Sequence, residues 1–282
     1  MDRSEEWTTV IRPKNKLFQV DFREIWQYRD LLELFIKRDI VTQYKQTVLG
    51  PAWYFIQPAL TTVMYMVVFG GIAKISTDGL PQPMFYLAGI VCWQYFADCL
   101  TKTSATFTTN QNIFGKVYFP RLIVPLATIS SNLVRMGIQF LLFLAVYIYF
   151  LILKVDVAPN IYALLIPGLI IMLAGLALGF GIIISSMTTK YRDLFILFTF
   201  LVQLWMYATP VIYPLSTMPP KMQRIMSINP LTSIIEAFKY GAMGVGTFSW
   251  AGLAYSFIFM IILLGIGVVV FNKVQRSFMD TV

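Results

Sequence analysis

Two stretches of this chain, residues 53–73 and 250–271, contain no charged side chain. Each can cross a hydrocarbon core about 30 Å thick, which takes about 20 helical residues. A backbone in lipid must satisfy its own amides and carbonyls, and over runs of this length it does so as a helix. Of the 282 residues, 57% are hydrophobic and only 13% are charged. A soluble domain carries roughly a quarter charged residues. The surplus apolar surface therefore faces lipid.

Four more apolar segments lie near 84–107, 122–153, 161–187 and 194–213. Asp98 and Lys102 interrupt the first of these, Arg135 sits inside the next, and Pro210 falls near the end of the last. The expected fold is an all-α integral membrane protein of six transmembrane helices. An N-terminal amphipathic interface helix precedes them, and short re-entrant helices come before the last span. Residues 1–52 form the expected cytoplasmic segment and 53–282 the membrane domain. The first 50 residues hold no apolar h-region, so the chain is expected to insert through its own internal spans.

Orientation follows from lysine and arginine. With the N-terminus inside, the inner segments carry 16 of the 22 Lys and Arg residues and the outer ones 5. That asymmetry places both termini in the cytoplasm. A net charge of +8 would suggest nucleic acid in a soluble protein. Here its distribution matters more, and no nucleic-acid partner is expected.

An amphipathic helix is predicted over 22–46. Asp21 and Glu24 are spaced as a capping box, with Val20 and Ile25 as its hydrophobic staple. Phe22, Ile25, Trp26, Leu32, Phe35, Ile36 and Ile40 form a stripe opposite Arg23, Arg29, Asp30, Lys37 and Arg38. Such a helix lies in the inner headgroup layer as an anchor, and its polar face is open to a cytoplasmic partner. The inner loop 108–121 mixes Phe114, Tyr118 and Phe119 with Lys116 and Arg121, more aromatic than a solvated loop requires. The outer connection 214–249 runs semi-apolar from Leu231 to Val245, the pattern of short helices that dip back into the bilayer.

Much chemistry is absent. The chain has no histidine, which removes His-based catalysis and His metal ligation. Cys92 and Cys99 lie seven residues apart in one predicted span, about 10 Å along a helix and too far for a disulfide. No metal site is expected, and no P-loop occurs, since Gly115-Lys116 lacks the flanking pattern. Among charges at membrane depth, Arg135 lies roughly 20 Å along its helix and is expected to pair inside the bundle or face a wet cavity. Gly175 and Gly179 allow close helix approach, within the chain or between copies. Aromatics cluster near span ends, either as an interfacial belt or as stacking platforms for sugar rings.

Several blocks then resemble one family in order. They are Arg38-Asp39-Ile40, Tyr44-Lys45-Gln46-Thr47, Leu49-Gly50-Pro51-Ala52-Trp53, Lys116-Val117-Tyr118-Phe119-Pro120-Arg121, Lys190-Tyr191-Arg192-Asp193, Pro210-Val211-Ile212-Tyr213-Pro214 and Asn229-Pro230. From about residue 22 onward the chain resembles the permease subunits of type-2 ABC exporters of polysaccharides: O-antigen, capsule and teichoic acid.

The resemblance implies a bacterial inner-membrane exporter in which two copies of the permease enclose a conduit for a lipid-linked glycan. Two separate P-loop ATPase chains would bind ATP and Mg beneath it, so this chain would have no catalytic residue or cofactor of its own. It implies that Asn112, Ile113, Phe114, Lys116, Val117, Tyr118, Phe119, Pro120 and Arg121 couple to the ATPase. Arg29, Lys37, Arg38, Asp39, Tyr44 and Lys45 would serve the interface helix and the glycan's headgroup, with Arg38, Lys45 and Arg121 near its pyrophosphate. Trp53, Tyr54, Phe55, Tyr65, Trp205, Tyr207 and Tyr213 would line the conduit. Pro210, Pro214, Asn229, Pro230 and Glu236 would form the outer gate. A membrane enzyme would need a cluster of acid and base residues that the sequence lacks. A passive channel or ATP-independent flippase would not need the 114–121 loop.

Overall fold

The computed structural model describes residues 22–155, 157–191 and 193–281, with the side chains of Phe22, Tyr44 and 276–281 left aside. Val20 and Asp21, half of the expected staple and capping box, lie outside this range. Among the described residues the regular structure is all helical, without strands.

The N-terminal helix is two pieces, α1 (Phe22–Gln27) and α2 (Arg29–Tyr44), not one helix over 22–46. The joint is Tyr28, whose N–H is shared between the carbonyls of Glu24 and Ile25 at 3.2 Å each. The kink turns Ile25, Tyr28, Leu31 and Leu32 onto one apolar cluster around Phe35. Trp26 leaves the expected stripe and is 70% exposed. After α2, positive φ angles at Gln46 and Gly50 turn the chain into the bundle.

A short 3-10 turn leads into α3 (Trp53–Tyr65), which widens into a π-helical segment, Met66–Ile72. Next come α4 (Gln82–Ser104), two single-turn helices, α5 (Thr106–Thr109) and α6 (Gln111–Phe114), and α7 (Ile123–Ile152). The chain continues through α8 (Ile166–Thr188), α9 (Asp193–Tyr207), α10 (Pro220–Ser227), α11 (Pro230–Met243) and α12 (Trp250–Thr281).

Among the described residues, four helical stretches are long and apolar enough to cross a membrane: Gly50–Ile72, Ile123–Ile152, Ile161–Thr188 and Trp250–Gln275. Two of the six expected spans fall short by that measure. Helix α4 has the length but carries Asp98 and Lys102, and α9 stops at Tyr207 after 15 residues. The α9 helix ends there because Pro210 removes an amide and the chain turns back.

Helix α4 is the core of the bundle, packed against α7 and α8, and α12 lies along α8. Cys92 and Cys99 are free and buried in it. The Gly175 and Gly179 pair serves the α8–α12 contact within the chain. A Cβ on Gly179 would stand 2.9 Å from Cγ of Leu263, and one on Gly175 would strike Sδ of Met260. The tightest approach to backbone is at Gly89, where an added Cβ would lie 2.6 Å from the carbonyl oxygen of Val211. Gly89→Val is therefore expected to cost about 1–3 kcal/mol by overpacking. A melting temperature in detergent equal to wild type would contradict that packing.

Candidate functional site

The α2 end, which the charge count leads one to expect in the cytoplasm, is organised by stacked aromatic rings. Phe114 of α6 packs on Phe107 and Phe119, Phe107 stacks on Phe271 of α12 at 4.7 Å, and Phe119 meets Phe35 of α2 edge-on at 5.8 Å. Phe114 and Phe119 are buried, so neither offers its ring to a partner. Arg121 is 6% exposed, lies over the Phe114 ring and donates to the Gln275 carbonyl at 2.9 Å. It braces the loop against α12 and is not open to a headgroup. Asn112, Lys116, Val117 and Tyr118 remain exposed, while Ile113 and Pro120 are half-buried. The Tyr118 hydroxyl reaches Glu24 of α1 at 3.4 Å. A loop with this anchoring presents a small knob, Lys116 to Tyr118, on a rigid base.

At the same end a cavity of about 320 Å³ lies between α2, α4, α7 and α9. Arg38, Asp39, Lys102, Asn110, Thr128 and Ser131 are among its walls. Arg38 is held by Asp39 through Nε and Nη2 at 3.0 and 2.9 Å, and its guanidinium lies over Phe35. Lys102 donates to Oδ1 of Asn132 at 2.9 Å. On α2's outer face Lys37 pairs with Glu33, and Arg29 lies 3.7 Å from Asp30. Lys45 is exposed. Tyr44 closes α2, its side chain being outside the described set.

Above this cavity runs a ladder of polar pairs between α4 and α7. Lys102 meets Asn132, Asp98 meets Arg135 at 2.6 Å, and Gln139 donates to Gln94 at 2.9 Å. Arg135 also donates to Gln57 of α3 at 3.0 Å and lies over the Tyr54 ring. Arg135, expected to pair inside the bundle or to face a wet cavity, here bonds to Asp98 and Gln57. Gln94, Asp98 and Lys102 are four residues apart, one face of α4, and Asn132, Arg135 and Gln139 share a face of α7. That spacing was the available signal for Gln94, Gln139 and Asn132, which sequence reasoning passed over.

At the other end, α11 fastens the end of α9. Asn229 caps α11 by accepting from the Leu231 amide, with Pro230 at the first helical position. Its Nδ2 donates to the Ala208 carbonyl and to Oγ1 of Thr209. Lys239, buried at 1% exposure, donates to the Pro210 carbonyl at 2.7 Å and lies 3.7 Å from the Phe85 ring centre. Glu236, also buried, accepts from the amide and hydroxyl of Thr247. Pro210 and Pro214 are buried beside them. Tyr213 donates to the Tyr207 carbonyl at 2.8 Å. A cavity of about 450 Å³ lies here, lined in part by Glu236, Thr247 and Tyr255. Lys239 was missed in the sequence, where it counted only as one outer lysine; its position three residues after Glu236 in an apolar run was the clue.

The aromatics proposed for the conduit divide. Trp53, Phe55 and Tyr207 are exposed on the bundle surface. Tyr54 is buried and donates to Gln43 at 2.9 Å, and Tyr65 packs edge-on against Phe69 and Tyr86. Trp205 is wedged between Phe96 and Phe180. Packing inside one chain thus accounts for Tyr54, Tyr65 and Trp205.

Residues 30–243 match the ABC-2 type transporter family, and the chain belongs to it. Among its relatives is an O-antigen export system permease protein, RfbA, of Klebsiella pneumoniae. It is 29% identical over 252 residues, covering 89% of this chain and 94% of that protein. RfbA of Myxococcus xanthus is 26% identical over 77% of this chain and 82% of its own. The polysialic acid transport protein KpsM of Escherichia coli is 20% identical over 89% of this chain and 95% of its own.

Proposed function

We propose that this chain is the permease subunit of an ATP-driven exporter that moves a lipid-linked polysaccharide, of the O-antigen class, across the bacterial cytoplasmic membrane. Two copies enclose the path, both termini lie in the cytoplasm, and two separate ATPase chains supply the energy. The observation that carries the reading is end-to-end similarity to O-antigen export permeases, covering 89% of this chain. Similarity to capsule exporters is lower, at 20–21% identity, so capsule is the second cargo to test.

The geometry suggests how the parts would work. ATP-driven closure of the partner presses on the Lys116–Tyr118 knob. Because Phe114, Phe119 and Phe107 are packed on Phe35 and Phe271, the push reaches α2 and α12 together. The glycan's pyrophosphate enters at the cavity between α2 and α4, where Arg38 and Lys102 supply positive charge and arginine matches phosphate geometry. Helices α10 and α11 close the outer exit until α9 shifts.

Purification of the tagged chain from its host should bring a P-loop ATPase with it at equal stoichiometry. A stable lone chain would overturn the reading. Within the complex, Val117→Asp combined with Tyr118→Ala is expected to leave insertion and melting temperature unchanged while export falls and ATP hydrolysis no longer follows it. Normal export by that variant would remove the knob from the coupling path.

A further inference from the structure

Charges at membrane depth cost about 2.5–3.5 kcal/mol each in lipid on insertion scales, and they face the bundle interior or water. The α4–α7 ladder nevertheless reaches the surface of the single chain. The Asp98 side chain is 34% exposed, that of Arg135 is 15% exposed, and Gln57 is exposed. From Gln94 to Lys102 the ladder covers about 12 Å along α4. Its lower end, Lys102, is also a wall of the cavity at the α2 end, so the polar surface is continuous from that cavity toward the middle of the bundle.

The hydrogen bonds leave an alternating set of groups open. Gln94 accepts from Gln139 through Oε1, and Gln57 accepts from Arg135 through Oε1, so both amide NH₂ groups remain to donate. Asp98 uses only Oδ2 on Arg135, so its second oxygen remains to accept. Lipid chains satisfy none of these groups, whereas water does. Sugar hydroxyls, which donate and accept, do so as well.

We infer that the ladder Gln57–Gln94–Asp98–Arg135 is the wet wall of the transport path in the half of the membrane nearest α2, and that hydroxyl-rich cargo slides along it. The second part rests on the export reading above; the first does not. The wall would bind each sugar weakly and alike, through side-chain donors and acceptors instead of aromatic platforms.

The test uses the full-length permease with its ATPase partner in inside-out vesicles. On a background with Cys92→Ala and Cys99→Ala, single cysteines replace Gln57, Gln94 or Thr101, which lines the same cavity three residues after Asp98 on α4, with Ile171→Cys and Ile258→Cys as controls on apolar exposed faces. A charged, membrane-impermeant methanethiosulfonate reacts with thiolate, which forms only where water reaches. The ladder cysteines are expected to react about tenfold faster than the controls. Rates equal to the controls at Gln94 and Thr101 would overturn the wet wall, and Thr101, a small polar site, guards against misfolding at the amide positions. Vesicles from cells that make the glycan should then react several-fold more slowly than vesicles from cells that cannot. Equal rates in the two would overturn the cargo contact, and a separate assay of glycan on the wild-type cell surface reports whether the export reading itself holds.

Discussion

Replacing Lys239 by alanine is expected to remove about 3–5 kcal/mol of stability, a large part of the about 5–15 kcal/mol a folded domain commonly has. The side chain is 1% exposed, and its ammonium is stabilised by the Pro210 carbonyl, the Phe85 ring and the charge of Glu236 one turn earlier on α11. Alanine leaves the Pro210 carbonyl without its donor, Glu236 without its nearby positive charge, and a hollow where the lysine stem lay. A fall of roughly 10 °C in melting temperature in detergent is expected. Lys239→Met keeps most of the stem, so the loss it shows measures the ammonium's part. If both variants melt like wild type, Lys239 is not what holds α11 to the end of α9.

Arg135→Ala is expected to cost about 2–4 kcal/mol, at the lower side because Asp98 keeps one third of its side chain exposed. The mutation leaves a carboxylate without its partner at membrane depth and strands the Gln57 contact. Asp98→Asn combined with Arg135→Gln removes both charges and is expected to recover most of the loss, since two neutral amides can still bond. A double-mutant cycle on detergent melting temperatures measures this. Additive losses would mean the two residues act separately.

The sequence made the helical class and the apolar spans legible, because 20 uncharged residues admit few other structures. It also marked 108–121 and 214–249 as more apolar than solvated connections, and both carry short packed helices. Inside those segments, side-chain roles were harder to read. Phe114 and Phe119 looked like docking residues because aromatics in a loop are conspicuous, yet tertiary packing buries them and leaves Val117 and Tyr118 outside. Trp205 and Tyr65 were grouped with the conduit, and within the chain they pack against Phe96, Phe180 and Tyr86 while staying partly exposed. Linear spacing marks which face a residue occupies, not which neighbour covers that face. The break at Tyr28 likewise depends on the cluster beneath it, which no local propensity encodes.

Helix α12 runs for 32 residues, Trp250–Thr281, or about 48 Å, which exceeds a 30 Å hydrocarbon core by several turns. The surplus stands beside the knob, tied to it through Arg121 and Phe271. In the export reading proposed above, the last span would act as a crank as well as a membrane crossing. A tilt imposed at its base swings Tyr255 at its far end, where the hydroxyl is bonded to the Ile228 carbonyl just before α11. One rigid rod can thus report events at one membrane face to the lid at the other.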